Sequence, residues 1–401
     1  MPAALITVAQ ARRHVLDRIP ASGSEVAPVL FALGRVLAAD VVAAADTPPF
    51  PSSAMDGYAI RSGPAGRQLT IVGESRAGAP SGRGPGPGEA IRISTGAAVP
   101  AGADAVIPQE NVVAGKDTIE TAADVRAGDH IRAPGEDMRA GARVLEAGTR
   151  LGAIELGAAV AAGLGEVAVA PHPHVAVLCT GDELRAPGEA LGTGEIHNSN
   201  APMLTGLAAG AGAVTDAAER LPDDRAVTRD AIGRALERAG VVIISGGVSV
   251  GPHDHVKPML AELGVEEVFW SVALQPGKPT WFGVAPEGPL VFGLPGNPVS
   301  AVVTFSLFVA PALAALQGER SRRRLESSAV LGTDVRRNPR REQAMRVRLQ
   351  CGDGPPVATP NGAQGSHVLS SLVGADALAM IPPGDGMLTA GSVVELEPLA
   401  D

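Results

Sequence analysis

The stretch VSAVVTFSLFVAPALAAL, residues 299–316, carries no charge over a span long enough to cross a bilayer. A helix without a polar face must be surrounded, either by lipid or by protein. Ser300, Thr304, Ser306 and Pro311, the many alanines and the lack of a second such segment favour protein. The helix would also leave from a turn, Gly296-Asn297-Pro298, that reads as part of a binding site. A core helix is therefore expected, and it demands a sheet and further helices around it.

The surrounding chain supplies that sheet. VAVLCT (175–180), VVIIS (241–245) and PLVFGL (289–294) are continuous apolar runs, as strands buried on both faces are. Residues 199–211 read as a helix, and Val227, Ala231, Ile232, Ala235 and Leu236 as the apolar face of another. Residues 254–263 read as a short third one. This alternation, from His174 to about Gln317, predicts a parallel sheet with helices on both faces.

At 401 residues the chain is too long for one ordinary core. Residues 1–45 and 139–170 are alanine-rich and read as helical; TVAQARRHVLDRIP spaces Val8, Ala11, Val15, Leu16 and Ile19 as an amphipathic helix. Between them, short strands such as LTIVG and AIRIS are punctuated by GAPSGRGPGPGEA, a loop (78–90). The expected units are a discontinuous helical domain (1–46 and 139–170), an inserted β-rich domain (47–138), an α/β domain (171–320) and, beyond the basic run Arg320–Arg324, a small β-domain (325–401).

A net charge of −10 argues against nucleic acid or an anionic membrane as the main partner. An anionic ligand would need local basic side chains, backbone amides or a bridging divalent cation. The two cysteines, Cys179 and Cys351, define no disulfide framework, and Cys179 within VAVLC reads as an inert core thiol. The N-terminal helix lacks the pattern of a signal peptide, so the expected location is cytoplasmic, without a membrane.

Four polar turns follow or flank strands of the α/β segment, and ligands bind at the carboxyl ends of such strands. They are Thr180-Gly181-Asp182-Glu183, Ser245-Gly246-Gly247, the turn holding Lys278 between Pro276 and Pro279, and Pro295-Gly296-Asn297-Pro298. Their glycines let backbone amides approach an anion, and the last opens a helix whose dipole favours negative charge. Asp56 in SSAMDGYA and Asp137 in APGEDM lie in loops of the inserted segment; Asp182, Glu183, Asp223, Asp224 and Asp254 belong to the α/β segment. Carboxylates gathered from loops suit Mg²⁺ and phosphate better than zinc, because His253 and His255 lack zinc-ligand spacing. No Walker A motif and no nucleophile elbow is present.

Seven motifs, SAMDGYA, RISTGAAVP, APGEDM, TGDEL, SGGVSVGPHD, PGKPTWFG and GLPGNPVSA, stand in the order of the molybdopterin molybdenumtransferase family, MoeA and the gephyrin E domain. The resemblance runs nearly end to end. It implies a helical domain made from two segments, an inserted β-rich domain, a three-layer α/β domain like the molybdopterin adenylyltransferases, and a C-terminal β-barrel. It also implies a homodimer whose active site lies between the α/β domain of one subunit and the insertion of the other. The implied reaction inserts molybdate into adenylylated molybdopterin with Mg²⁺-dependent release of AMP, in molybdenum cofactor biosynthesis.

Carried over by motif, Asp56, Asp137, Glu183 and Asp254 are the implied catalytic acids, with Asp56, Glu183 and Asp254 as the implied Mg²⁺ ligands. The implied substrate contacts are Thr95, Thr180, Gly181, Asp182, Asp224, Ser245, Gly246, Gly247, Lys278, Pro295, Gly296, Asn297 and Pro298. A molybdopterin adenylyltransferase and acceptor molybdoenzymes are the implied protein partners. One departure concerns the segment FWSVALQPGKP, where Ser271 and Gln275 stand where family members often carry lysine. Arg132, Arg139 or Lys257 are candidates to restore the lost charge. The alternatives are an adenylyltransferase-like nucleotide-processing enzyme and a low-activity paralogue acting as a binder or scaffold.

Overall fold

The computed structural model describes residues 5–248, 255–320, 328–352 and 354–400, so His253 and Asp254 lie outside the described residues. Helix α1 (Val8–Leu16) opens with a reciprocal cap, in which Gln10 N donates to Thr7 Oγ1 and Thr7 N to Gln10 Oε1. Its apolar face, Val8, Ala11 and Val15, joins the main core of the α/β segment.

Residues 25–45 and 138–170 share a separate core that includes Val29, Leu37 and Val41 from the first stretch and Leu151, Ala159 and Val169 from the second. Antiparallel pairs stitch them together, Glu25–Pro28 with Glu166–Val169 and Val41–Val42 with Arg143–Leu145. Beyond α1, helix here is limited to one tight turn at Val29–Phe31 and to α2 (Ala153–Ala161). The alanine content overstates helix because Pro20, Gly23, Pro28 and Gly34 interrupt the run, and strand pairing takes over its hydrogen bonds.

The α/β segment holds a sheet in the order Val214–Thr215, His174–Thr180, Val241–Ser245, Leu290–Leu294, Trp281–Val284, Glu266–Trp270. The first four are parallel, as the apolar runs predict. Trp281–Val284 and Glu266–Trp270 add antiparallel at one edge, a feature the strand–helix alternation does not announce. The chain returns from Val284 to Leu290 through a tight turn at Pro286-Glu287-Gly288, too short for a parallel crossover.

Helices α3 (Asn200–Gly210), α4 (Arg225–Arg238), α5 (Val256–Glu262) and α6 (Pro298–Leu316) cover the sheet. Two apolar clusters, one on each face, bury it. Helix α6 is the one helix among the described residues long and apolar enough to cross a membrane, and 78% of its apolar stretch is buried within the protein. It carries a π turn at Phe305–Val309, just ahead of Pro311. A proline lacks the N–H that would reach back to Leu307, and the Leu307 carbonyl instead accepts from Arg12 Nε at 3.3 Å. Arg12 then reaches Glu397 at 2.8 Å, tying α1, α6 and the C-terminal segment together.

The insertion is a six-stranded sheet with apolar clusters of its own. In the C-terminal segment, Glu342–Gln350, Val357–Pro360, Ser328–Leu331, Val393–Pro398 and Ala377–Ile381 pair in a closed ring, a five-stranded barrel. Leu274–Gln275 adds to the barrel strand at Glu342–Gln343, which docks the barrel beside the Pro276–Pro279 turn.

Candidate active site

Three turns converge at the carboxyl ends of the parallel strands. Gly246 and Gly247 have φ of 92° and 64°, in the left-handed region. A Cβ at Gly246 would sit 2.8 Å from both the carbonyl and the hydroxyl oxygen of Thr180. A Cβ at Gly296 would lie 3.7 Å from Gly246 Cα, so the Pro295–Pro298 turn closes on the same point. The Gly246 N–H donates to Leu294 O at 3.1 Å and is spent on the scaffold. Asn200, at the start of α3, donates from Nδ2 to Ser245 Oγ at 2.8 Å and to Gly296 O at 2.7 Å.

The acids around these turns fall into distinct situations. Asp182 and Glu183 are exposed and have no ion-pair partner among the described residues. Asp182 Oδ1 accepts the Asp223 N–H at 3.1 Å, which brings the Asp223 loop beside it. Asp224 instead caps α4, its Oδ1 accepting from Val227 N at 2.9 Å, so its carboxylate is engaged in holding a helix. His255 immediately precedes α5 and makes no capping hydrogen bond through its side chain.

Lys278 is exposed on its turn, and its carbonyl receives the Val272 N–H at 2.9 Å. Gln275 accepts from Asn338 Nδ2 at 2.6 Å, and Ser271 is buried with a φ of 74°. Both positions without lysine are thus taken up by structural contacts. Lys257 is engaged as well, 3.2 Å from Glu267 and stacked 3.9 Å over the Trp270 ring.

The C-terminal barrel also reaches the site. Asn297 Nδ2 donates to Ser366 Oγ at 3.3 Å. Behind that loop Arg346 is buried, with Ser371 Oγ, Ala363 O and Gly365 O as acceptors and no carboxylate among the described residues. Burial lowers its pKa to about 10. Cys179, beneath the sheet's end, is pushed up to about 11 by burial, as an inert core thiol should be.

The insertion builds a second cluster. Asp56 Oδ1 accepts from Thr95 N at 2.8 Å and from Thr95 Oγ1 at 3.2 Å. The next residue, Gly57, cannot be larger, because a Cβ would meet Ile107 O at 2.0 Å. That contact fixes the backbone that presents Asp56. Asp137 is set by its own N–H, which donates to Thr47 O at 3.0 Å. A cavity of about 560 Å³ opens here, lined by Thr47, Pro48, Phe50, Ser52, Gly96, Arg132, Glu136 and Asp137. Arg132 is thus beside the insertion's acids rather than at the Lys278 turn.

Among the described residues, no hydrogen bond or ion pair joins 47–137 to the α/β segment. Nor does any group of three or more His, Cys, Asp or Glu side chains among the described residues gather around one point. Asp56 and Glu183 share no hydrogen-bond partner and no such group among the described residues, and Asp254 lies outside them. Three residues at the site escaped the sequence reading: Asn200, Arg346 and Ser366. For Asn200 the usable signal is HNSNAP, four consecutive polar residues where a helix begins.

Comparison with known proteins agrees along the whole chain. Residues 6–163 match the MoeA N-terminal region (domain I and II), 176–315 a probable molybdopterin binding domain, and 328–399 the MoeA C-terminal region (domain IV). The molybdopterin molybdenumtransferase of Haemophilus influenzae is 35% identical over 400 residues, covering 98% of each chain. Molybdopterin molybdenumtransferase 2 of Mycobacterium tuberculosis is 36% identical over 404 residues, covering 97% of this chain and 98% of that one. A molybdopterin biosynthesis MoeA protein of Pyrococcus horikoshii, known from its crystal structure, superposes with a TM-score of 0.82 at 30% identity, covering 98% of this chain and 100% of that one. With all three regions matched in order around the converging turns, the chain belongs to the molybdopterin molybdenumtransferase family of molybdenum cofactor biosynthesis.

Proposed function

We propose that this transferase inserts molybdate into adenylylated molybdopterin, releasing AMP, at a site completed by two copies of the chain. The observation that carries the reading is the convergence of the Thr180, Gly246 and Gly296 turns, which leaves room for backbone rather than side chains. Such turns at strand ends and at the start of α6 suit a phosphate-bearing ligand. Thr180, Gly181, Asp182, Gly247, Lys278 and the Pro295–Pro298 turn are the contacts on this side. Ser245, buried and bonded to Asn200, supports the turn from behind rather than touching the ligand through its hydroxyl. Arg346, buried without an acid, adds positive potential behind the same turn and favours an oxyanion substrate. Asp224 acts through its helix cap, placing the Asp223 loop.

The other half of the site is Asp56, Thr95 and Asp137, contributed by the second subunit. Val26, Leu30, Phe31, Leu33 and Ile154 stand 65–82% exposed on the unit that carries the insertion, an apolar surface that a second copy would cover. The donor chemistry also suits Mg²⁺: Asp56 and Glu183 are exposed carboxylates without basic partners among the described residues. Glu183 and Asp254 of one subunit with Asp56 of the other would hold the ion. When bound, it neutralises the charge that develops on phosphate. Thr95 keeps Asp56 oriented, and Lys278 draws in the oxyanion.

A cytoplasmic homodimer that receives its substrate from a molybdopterin adenylyltransferase and passes the product to acceptor molybdoenzymes completes the reading. The test is AMP release from adenylylated molybdopterin with Mg²⁺ and molybdate. Release that is absent from the parent protein would end the proposal.

A further inference from the structure

We propose that Asn200 is a positioning residue that sets the spacing between the Ser245–Gly247 turn and the Pro295–Pro298 turn, and through it the affinity for the substrate's phosphate end. This rests on the proposed function above. Glycine turns have no side chains of their own to hold one against another. Here a single amide spans both, from Nδ2 to Ser245 Oγ at 2.8 Å and to Gly296 O at 2.7 Å. Ser245 Oγ lies 3.4 Å from Pro295 O and extends the link. The orientation of the amide is fixed, because a carbonyl only accepts and the atom facing Gly296 O must be the nitrogen.

That orientation has a cost. Asn200 Oδ1 is buried and has no hydrogen-bond partner among the described residues. An unpartnered buried acceptor destabilises a fold, and an apolar side chain at this 8%-exposed position would avoid it. What the amide provides in return is the link between turns. The start of α3 is pinned from the other side too: Asn198, 7% exposed, accepts the Ala201 N–H at 3.1 Å. Asn200 therefore has a rigid base from which to hold Gly296, which is itself exposed. Released, the Gly296 turn is free to drift from Gly246, and the substrate must bring the two back together on binding.

The test compares Asn200→Ala, Ser245→Ala and the double variant with the parent in full-length protein. The readouts are the Kd for adenylylated molybdopterin without molybdate, KM and kcat for AMP release, and the melting midpoint. Asn200→Ala is expected to raise Kd and KM about tenfold with kcat within about threefold, since one lost hydrogen-bond link is worth that much. Ser245→Ala should add little to it, because both side chains act in one network. Parent-like binding by Asn200→Ala, or fully additive losses in the double variant, overturns the inference and leaves the proposed function standing. If Asn200→Ala does not fold, Asn200→Ser retains one donor and decides by the same KM-against-kcat split. Failure of the parent itself to bind or release AMP would instead mark failure of the proposed function.

Discussion

The two halves of the candidate site are built by opposite means. In the insertion the working group is a side chain, Asp56, held by the backbone N–H and the hydroxyl of Thr95 on a sheet that packs with its own clusters. In the α/β segment the working surface is backbone, made of glycine turns whose separation depends on Asn200. A half-site of side chains can be lost one function at a time. A half-site of turns fails together when its spacing is lost.

The largest expected effect tests whether the halves come from different subunits. On the proposed Mg²⁺-holding role, Asp56→Ala and Glu183→Ala should each lower AMP release more than about 100-fold. Mixing the two variants under subunit exchange should restore about a quarter of parental activity, because half the dimers are mixed and each has one intact site. No recovery in a mixture shown to contain mixed dimers would break the comparison, since both halves would then belong to one chain.

Next in size is the backbone half. Gly246→Ala places a Cβ 2.8 Å from Thr180 O at a φ of 92°. It should lower stability by about 2–4 kcal/mol and abolish substrate binding. Denaturant unfolding and the Kd for adenylylated molybdopterin check the two parts. Thr95→Val is milder. It removes the 3.2 Å hydroxyl contact to Asp56 but leaves the 2.8 Å backbone one, so a loss of about three- to tenfold in kcat/KM is expected. A loss as deep as that of Asp56→Ala would show that Thr95 touches substrate itself.

How much of this was legible in the sequence depended on the range of the interactions. The α6 run had to be a buried helix because it has no charged face to turn to water, and VVIIS had to be a central strand for the same reason. The motif acids were legible as residue types in loops. Their division between the insertion and the α/β segment was legible too, from chain order. The partners that engage them, such as the Asp223 N–H on Asp182, were not, because those lie far away in the sequence. Asn200 was hidden for a related reason: its partners lie 45 and 96 residues away. The antiparallel edge escaped because Trp281–Val284 is as apolar as its parallel neighbours, and direction is set by loop length rather than composition. The alanine-rich segments misled on helix content because propensity is a weak prior where prolines interrupt and strand partners exist.

The smallest expected effect lies where the barrel docks beside the Lys278 turn of the backbone half, and it asks whether charge at that junction weakens the docking. Glu342 starts a barrel strand, and its N–H donates to Ala273 O at 2.9 Å, just ahead of Leu274–Gln275. Burial raises its pKa above 4.5, Glu395 and Glu397 add to that rise, and Arg12 opposes it. A carboxyl that holds its proton more tightly when folded makes the folded state bind more protons than the unfolded one. Stability is then full below pH 4.5 and declines as pH rises through the folded value. Glu342→Gln removes the charge and should raise the melting midpoint at pH 8 by about 1–2 °C, a small figure because the group is partly screened by solvent. The gain should shrink at pH 4, where the parent carboxyl is mostly protonated in both states. A gain that persists undiminished at pH 4 would mean that the amide packs better, and that charge at this junction does not govern the docking.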